Sequence, residues 1–158
     1  MTASSILADT PLVKDLSQAE LAKLEAIITL RELQEGEILI TEGVIDNCLY
    51  GIIAGSLAVG RETGDGGWVD FQRLRAGDLL GELGFIDGTA HSASILAVTQ
   101  TQLFIIQREE FEALVNDEPM LVYHTLRAII RIVHDILRRM NLQYVEMTNY
   151  ISKQHGRY

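Results

Sequence analysis

Residues 76–98 read AGDLLGELGFIDGTAHSASILAV. Two leucines of a short strand run straight into Gly81-Glu82-Leu83-Gly84, which reads as one helical turn; Asp87-Gly88 makes a tight turn, and a lone His91 beside Ser92 leads into an apolar alternation. A strand that breaks into a helical turn leaves backbone N–H groups unpaired, with a partial positive charge, so an anion, above all a phosphate, can settle against Gly81, Glu82 and Leu83, although a Gly-Glu-x-Gly turn on spacing alone is more often plain structure. Glu82 is poorly suited to face that anion. It is well suited to accept hydrogen bonds from sugar hydroxyls beside it.

Working outward, residues 30–107 alternate short runs rich in Ile, Leu, Val, Thr and aromatics with frequent glycines. Strands are predicted at 30–34, 37–42, 48–54, 56–61, 68–74, 79–80, 92–98 and 102–107, with Gly64-Asp65-Gly66-Gly67 as the clearest hairpin turn. Many short strands with regular turn signals give a mainly β fold of sandwich, barrel or jelly-roll type, not a parallel sheet with crossover helices. Before them, LSQAELAKLEAII (16–28) predicts an amphipathic helix: Ser17 and Glu20 form a capping box, Leu16 staples to Leu21, and Leu21, Leu24, Ile27 and Ile28 share a face.

After the strands, REEFEALV (108–115) reads as a short helix, and Asn116-Asp117-Glu118-Pro119 as a cap with proline in the first turn of a long helix. Leu126, Ile130, Val133, Leu137, Met140, Tyr144, Met147 and Ile151 are spaced alternately by four and three, a heptad seam. Ile129, Ile132 and Ile136 widen the stripe, so one flank packs at home while the seam pairs with a second copy in a parallel homodimer. Residues 1–116 thus form a helix and strand domain, and 117–158 a dimerisation helix with a short tail.

Composition limits the partners. The chain has 158 residues and a net charge of −9, divided as −6 over residues 1–47, −5 over 48–116 and +2 over 117–158. An acidic body repels phosphate backbones, which argues against nucleic-acid binding by the chain itself. The single Cys48 makes no internal disulfide and suits a reducing cytoplasm. The first residues lack the basic patch and apolar stretch of a signal peptide, and the uncharged run 88–107 is too polar to span a membrane. His91, His124, His134 and His155 are scattered without an H-x-H or carboxylate at metal-ligand spacing, and no nucleophile-base pattern stands out. No enzyme is expected, and a cupin-like metalloprotein ranks far behind a binding module.

The ordered set EGEILITEG (35–43), LYGIIAGSLAV (49–59), AGDLLGELGFIDGTAHSASILAV (76–98) and LFIIQREEF (103–111), with a helix before and a long one after, resembles the cyclic nucleotide-binding domain family, the effector-domain type of catabolite activator proteins and protein kinase A regulatory subunits. The resemblance covers about Leu12 to Met140. It implies a jelly-roll β-roll flanked by helices, with a phosphate-binding cassette in which Glu82 holds the ribose 2′-hydroxyl, the amides at Gly81, Glu82 and Leu83 meet the cyclic phosphate of cAMP or cGMP, and Ser92 donates to it.

Two positions depart from the family pattern. Ala90-His91 stands where an arginine usually pairs with the phosphate; histidine lacks the guanidinium fork, which forgoes a charge-assisted contact worth about 1.5–3 kcal/mol. His91 is therefore a degraded arginine, a weaker donor that strengthens at low pH, or a contact for another anion. On the long helix, the positions that touch the base fall at Ile136 and Leu137, which offer no hydrogen bond; Arg131 and Arg138 are candidate base or anion contacts, with His134 and Arg139 nearby. The family's winged helix-turn-helix is not expected here, so the expected protein is a stand-alone cytoplasmic regulatory homodimer. It binds a cyclic nucleotide weakly and signals to an unidentified protein partner, or it is a scaffold whose cassette no longer binds.

Overall fold

The computed structural model describes residues 4–155. Among them, eight strands form two four-stranded antiparallel sheets. These are β1 (Ile28–Leu33), β2 (Ile38–Ile40), β3 (Cys48–Ala54), β4 (Ser56–Glu62), β5 (Trp68–Arg75), β6 (Leu79–Leu80), β7 (Ser94–Ala97) and β8 (Thr101–Gln107). One sheet has the order β1-β8-β3-β6 and the other β2-β7-β4-β5. Chain neighbours thus separate into opposite sheets, and each sheet gathers strands from both ends of the strand region, as in a jelly roll. The only hairpin pairing of chain neighbours among the described strands is β4 with β5, which places Glu62 opposite Trp68 across the predicted glycine turn.

The alternation that predicted strands also fills the space between the sheets. Leu33, Leu49, Ile52, Leu57, Leu103 and Ile106 are fully buried there, and Leu24 and Leu12 cover the core from the N-terminal side. The helices are α1 (Ser4–Ala8), α2 (Gln18–Glu25), α3 (Glu82–Asp87), α4 (Arg108–Glu112) and α5 (Pro119–His155), with a 3₁₀ turn at Pro11–Val13. Both arms of the predicted capping box are present at α2: the Glu20 amide donates to Ser17 Oγ at 3.1 Å and the Ser17 amide to Glu20 Oε1 at 3.3 Å.

The structure departs from expectation at two edges. α1 and the 3₁₀ turn precede the helix expected to open the domain. α2 stops at Glu25, so Ile28 belongs to β1, opposite Ile106. The β-branched run Ile27-Ile28-Thr29 favours the extended conformation, and the β8 ladder gives it partners that another helical turn would not.

α5 is amphipathic as its spacing predicted, and its stripe divides into two faces. Leu121, Val122, Ala128, Ile129, Ile132 and Ile136 are buried against the roll, Leu126 and Val133 are half-buried, and Ile130, Leu137, Met140, Tyr144, Met147 and Ile151 are exposed. Every residue from Asn141 to Gln154 is exposed. At about 1.5 Å per residue, that stretch projects roughly 20 Å beyond the last buried contact. Polar clamps fix the inner half: Arg131 donates to Asp15 at 2.7 Å, His124 Nδ1 lies 2.9 Å from Glu20, and Lys23 pairs with Glu118. No helix among the described residues is long and apolar enough to cross a membrane.

Candidate functional site

The cassette begins where β6 ends. Gly81 has φ +78 and turns the chain from strand into α3, a left-handed conformation that glycine adopts without a steric penalty. The first bond of the α3 ladder runs from the Phe85 amide to Gly81 O at 3.0 Å. The amides of Glu82, Leu83 and Gly84 stand ahead of that bond, and among the described residues none of them reaches a carbonyl elsewhere in the chain. The sequence expectation named the turn of Gly81, Glu82 and Leu83; the amides ahead of the first ladder bond are those of Glu82, Leu83 and Gly84. α3 closes at Gly88, whose amide donates to Gly84 O at 2.9 Å.

The far side of the cassette is tied to the loop between β2 and β3. The His91 amide donates to Val44 O at 3.0 Å, the Gly43 amide to His91 O at 2.8 Å, and the Glu42 amide to Ser94 Oγ at 3.0 Å. Between α3 and this edge lies a cleft of about 300 Å³. Gly81, Glu82, Leu83, His91 and Ser92 all line it, so the structure brings the five predicted cassette residues to one cavity. Val133, Ile136, Leu137 and Met140 of α5 close the opposite side, while Leu74, Leu80 and Ile95 floor it. Ile136 and Leu137, the positions the resemblance assigned to the base, line this side, and the surface they offer is apolar.

The charges around the cleft are unusual for an anion site. No lysine or arginine among the described residues lines it; Glu82 and His91 are its only ionisable side chains. Arg131 is engaged with Asp15 on the other side of α5. Arg138 lines a separate cleft with Arg75 and Asp78, and Arg139 donates to Asp78 at 2.5 Å. Neither Arg131 nor Arg138 joins Gly81 and Ser92. His134 is exposed.

His91 is 9% exposed, and its Nε2 lies 2.8 Å from Asp46 Oδ1. Asp46 also accepts the Cys48 amide at 3.2 Å and the Tyr50 hydroxyl. Burial pushes the Asp46 carboxyl up, but the hydrogen bonds from Tyr50, His91 and Cys48 outweigh it and hold the group below the ordinary carboxylate range. Burial, then the hydrogen bond to Asp46, pushes the Tyr50 hydroxyl far above its usual range, so it remains a neutral donor. Burial likewise raises the half-buried Cys48 thiol, in accord with an inert cysteine. Sequence reasoning passed over Asp46 and Tyr50. Asp46 stands 45 residues before its partner in a loop without periodicity, and the β2–β7 pairing with the backbone bonds at Gly43, Val44 and His91 carries the two loops together.

Residues 30–118 match the family described as the cyclic nucleotide-binding domain. The chain belongs to that family. Over 95 residues, 60% of the chain, it is 35% identical to the cAMP-dependent protein kinase regulatory subunit of Mycosarcoma maydis, covering 18% of that protein. It is 29% identical over 121 residues to the cyclic AMP receptor protein of Thermus thermophilus, which covers 77% of the chain and 56% of the receptor. The chain therefore spans about a fifth and just over half of these two curated relatives. A solved cyclic nucleotide-binding domain from Methylobacillus flagellatus superposes with a TM-score of 0.77 at 23% identity, over 90% of the chain and 80% of that domain, and it supports the fold. The match begins inside β1 and ends at Glu118, directly before Pro119, so it holds the whole cassette and the Asp46 loop. α5 lies beyond it.

Proposed function

We propose that the chain is a regulatory module that binds a cyclic nucleotide weakly and passes the occupancy of its cleft to α5. One observation carries the reading: in a member of this family, the unpaired amides of α3 and the Glu82 carboxylate stand at one end of a cleft whose other end is closed by Ile136 and Leu137 of the long helix. The amides receive the cyclic phosphate, Glu82 accepts from the ribose hydroxyls, Ser92 adds a donor, and the apolar α5 face covers the base. A ligand there touches the roll and α5 together, which is what a signal from one to the other requires. The exposed seam of Ile130, Leu137, Met140, Tyr144, Met147 and Ile151 pairs two copies, and the dimer presents the signal to a protein partner.

The absence of arginine from the cleft favours a second reading, a dimeric scaffold of the same fold that no longer binds. Titration calorimetry with cAMP and cGMP at acid and neutral pH separates the two. Saturable heat supports the module; no heat at millimolar ligand in either condition leaves the scaffold.

A further inference from the structure

Asp46 constrains which hydrogen bonds His91 makes. An ionised carboxylate only accepts, and Asp46, held below the ordinary carboxylate range, is ionised at neutral pH. The hydrogen in the 2.8 Å contact therefore sits on His91 Nε2. In a neutral imidazole the other nitrogen, Nδ1, is then a bare lone pair. Among the described residues Nδ1 has no hydrogen-bond partner, and it is not among their sealed, unpartnered atoms, which are Glu25 Oε1 and Asn47 Oδ1. The ring edge beside it, at Cε1, faces Gly81: a methyl placed on Gly81 lies 3.4 Å from that carbon.

A neutral His91 thus presents an acceptor at a cleft built to receive oxygen anions. Only the imidazolium has a second N–H to give. We infer that this cleft takes up one proton with its anionic ligand, and that Asp46 imposes the coupling by keeping the Nε2 hydrogen for itself. The inference rests on the cleft being the nucleotide site. Asp46 is a positioning and specificity-determining residue: it selects the protonated site, and the proton comes from hydronium or a buffer acid, whose bond to it breaks as the Nδ1–H bond forms, while the bonds of the ligand are unchanged.

The other groups around the ring allow this. Tyr50 from β3 stays neutral and donates to Asp46, Cys48 lies beside it with a raised thiol, and Glu82 at the head of α3 favours a cation across the cleft. Arg108 at the start of α4 comes near Gly88 but pairs with Glu112 at 2.9 Å. No lysine or arginine among the described residues lines the cleft to replace the imidazolium.

Uptake of one full proton with the ligand makes affinity fall about tenfold per pH unit. The experiment measures cAMP binding to the full chain between pH 5.5 and 8, in pairs of buffers with different ionisation enthalpies, so that heat against buffer enthalpy counts the protons taken up. Cyclic AMP is a phosphodiester that stays a monoanion over this range. The expected result is uptake approaching one proton at the upper end and affinity at least about tenfold tighter at pH 6 than at pH 8. Asp46→Asn keeps an acceptor for Nε2 but removes the charge that faces the imidazolium, so the pH dependence of its cAMP affinity departs from that of the wild type, and an identical profile removes Asp46 from the coupling. Wild-type affinity that is flat with pH, with no proton uptake, overturns the inference and leaves the nucleotide site standing. So does cAMP binding by His91→Arg with none by the wild type at pH 5.5. No binding by either protein removes the proposed function and the inference with it. The wild-type titration decides between these outcomes even if Asp46→Asn folds poorly.

Discussion

Gly81→Ala tests whether the cassette turn is as tightly built as its geometry says. A methyl there meets Cys48 O at 2.6 Å, besides Tyr50 Cδ2 and His91 Cε1 at 3.4 Å each. Cys48 belongs to β3, which pairs with β8 on one side and β6 on the other, so that carbonyl does not yield freely. Two costs add. Holding a residue with a Cβ at φ +78 costs about 1 kcal/mol, and forcing a methyl against a fixed carbonyl costs about 1–3 kcal/mol more. The total, about 2–4 kcal/mol, lowers Tm by roughly 4–16 °C in a chain of this size. Gly36→Ala separates the costs, because Gly36 has φ +85 with nothing within 4 Å of the added methyl. It pays only the backbone part, about 1 kcal/mol. Both variants are measured by urea and thermal unfolding against the wild type. If Gly81→Ala loses no more stability than Gly36→Ala, the close approach of Gly81 to β3 is wrong, and the placement of the cassette amides fails with it.

Other outcomes follow from the same geometry. His91→Arg restores a permanent cation at the cleft, and if the module reading holds, cAMP affinity by calorimetry rises about tenfold or more; no gain means the cleft is blocked for another reason. Because the folded Asp46 carboxyl sits below its unfolded range, its stabilising contribution is complete above that range and is lost as pH falls through the folded value, so wild type loses more stability on acidification than Asp46→Asn, as read by urea midpoints. On α5, Ile136→Ala removes a buried side chain and costs about 2–4 kcal/mol, whereas Ile130→Ala, at a position 69% exposed, changes monomer stability by less than about 0.5 kcal/mol. If the seam pairs two copies, Ile130→Ala and Leu137→Ala together shift the gel-filtration mass toward one chain, and an unchanged mass rules the seam out.

The roll was legible because a sheet with one buried face writes itself as alternation. Each strand between Ile28 and Gln107 was expected within a few residues of where it lies, and glycines mark every connection between them except Val98-Thr99-Gln100. The capping box was legible for a similar reason, since its two partners are three residues apart. The cassette turn at Gly81 to Gly84 was local as well. Where short-range preferences competed the reading slipped, as at Ile27 and Ile28, whose apolar spacing continues a helix but whose branching and β8 partners make a strand.

The sequence by itself determined which residues are apolar, where the chain turns, and that a lone histidine follows the Gly81–Gly84 turn. It could not say where that histidine points. The tertiary structure decided that Asp46 meets both His91 and Tyr50, that Arg131 and Arg139 pair with Asp15 and Asp78, and that no lysine or arginine among the described residues lines the cleft. The physical reason is range. Periodicity and turn chemistry act over a few residues and survive in the order of the chain, whereas hydrogen bonds and charge pairing act across about 3–4 Å of space between segments that only sheet pairing brings together.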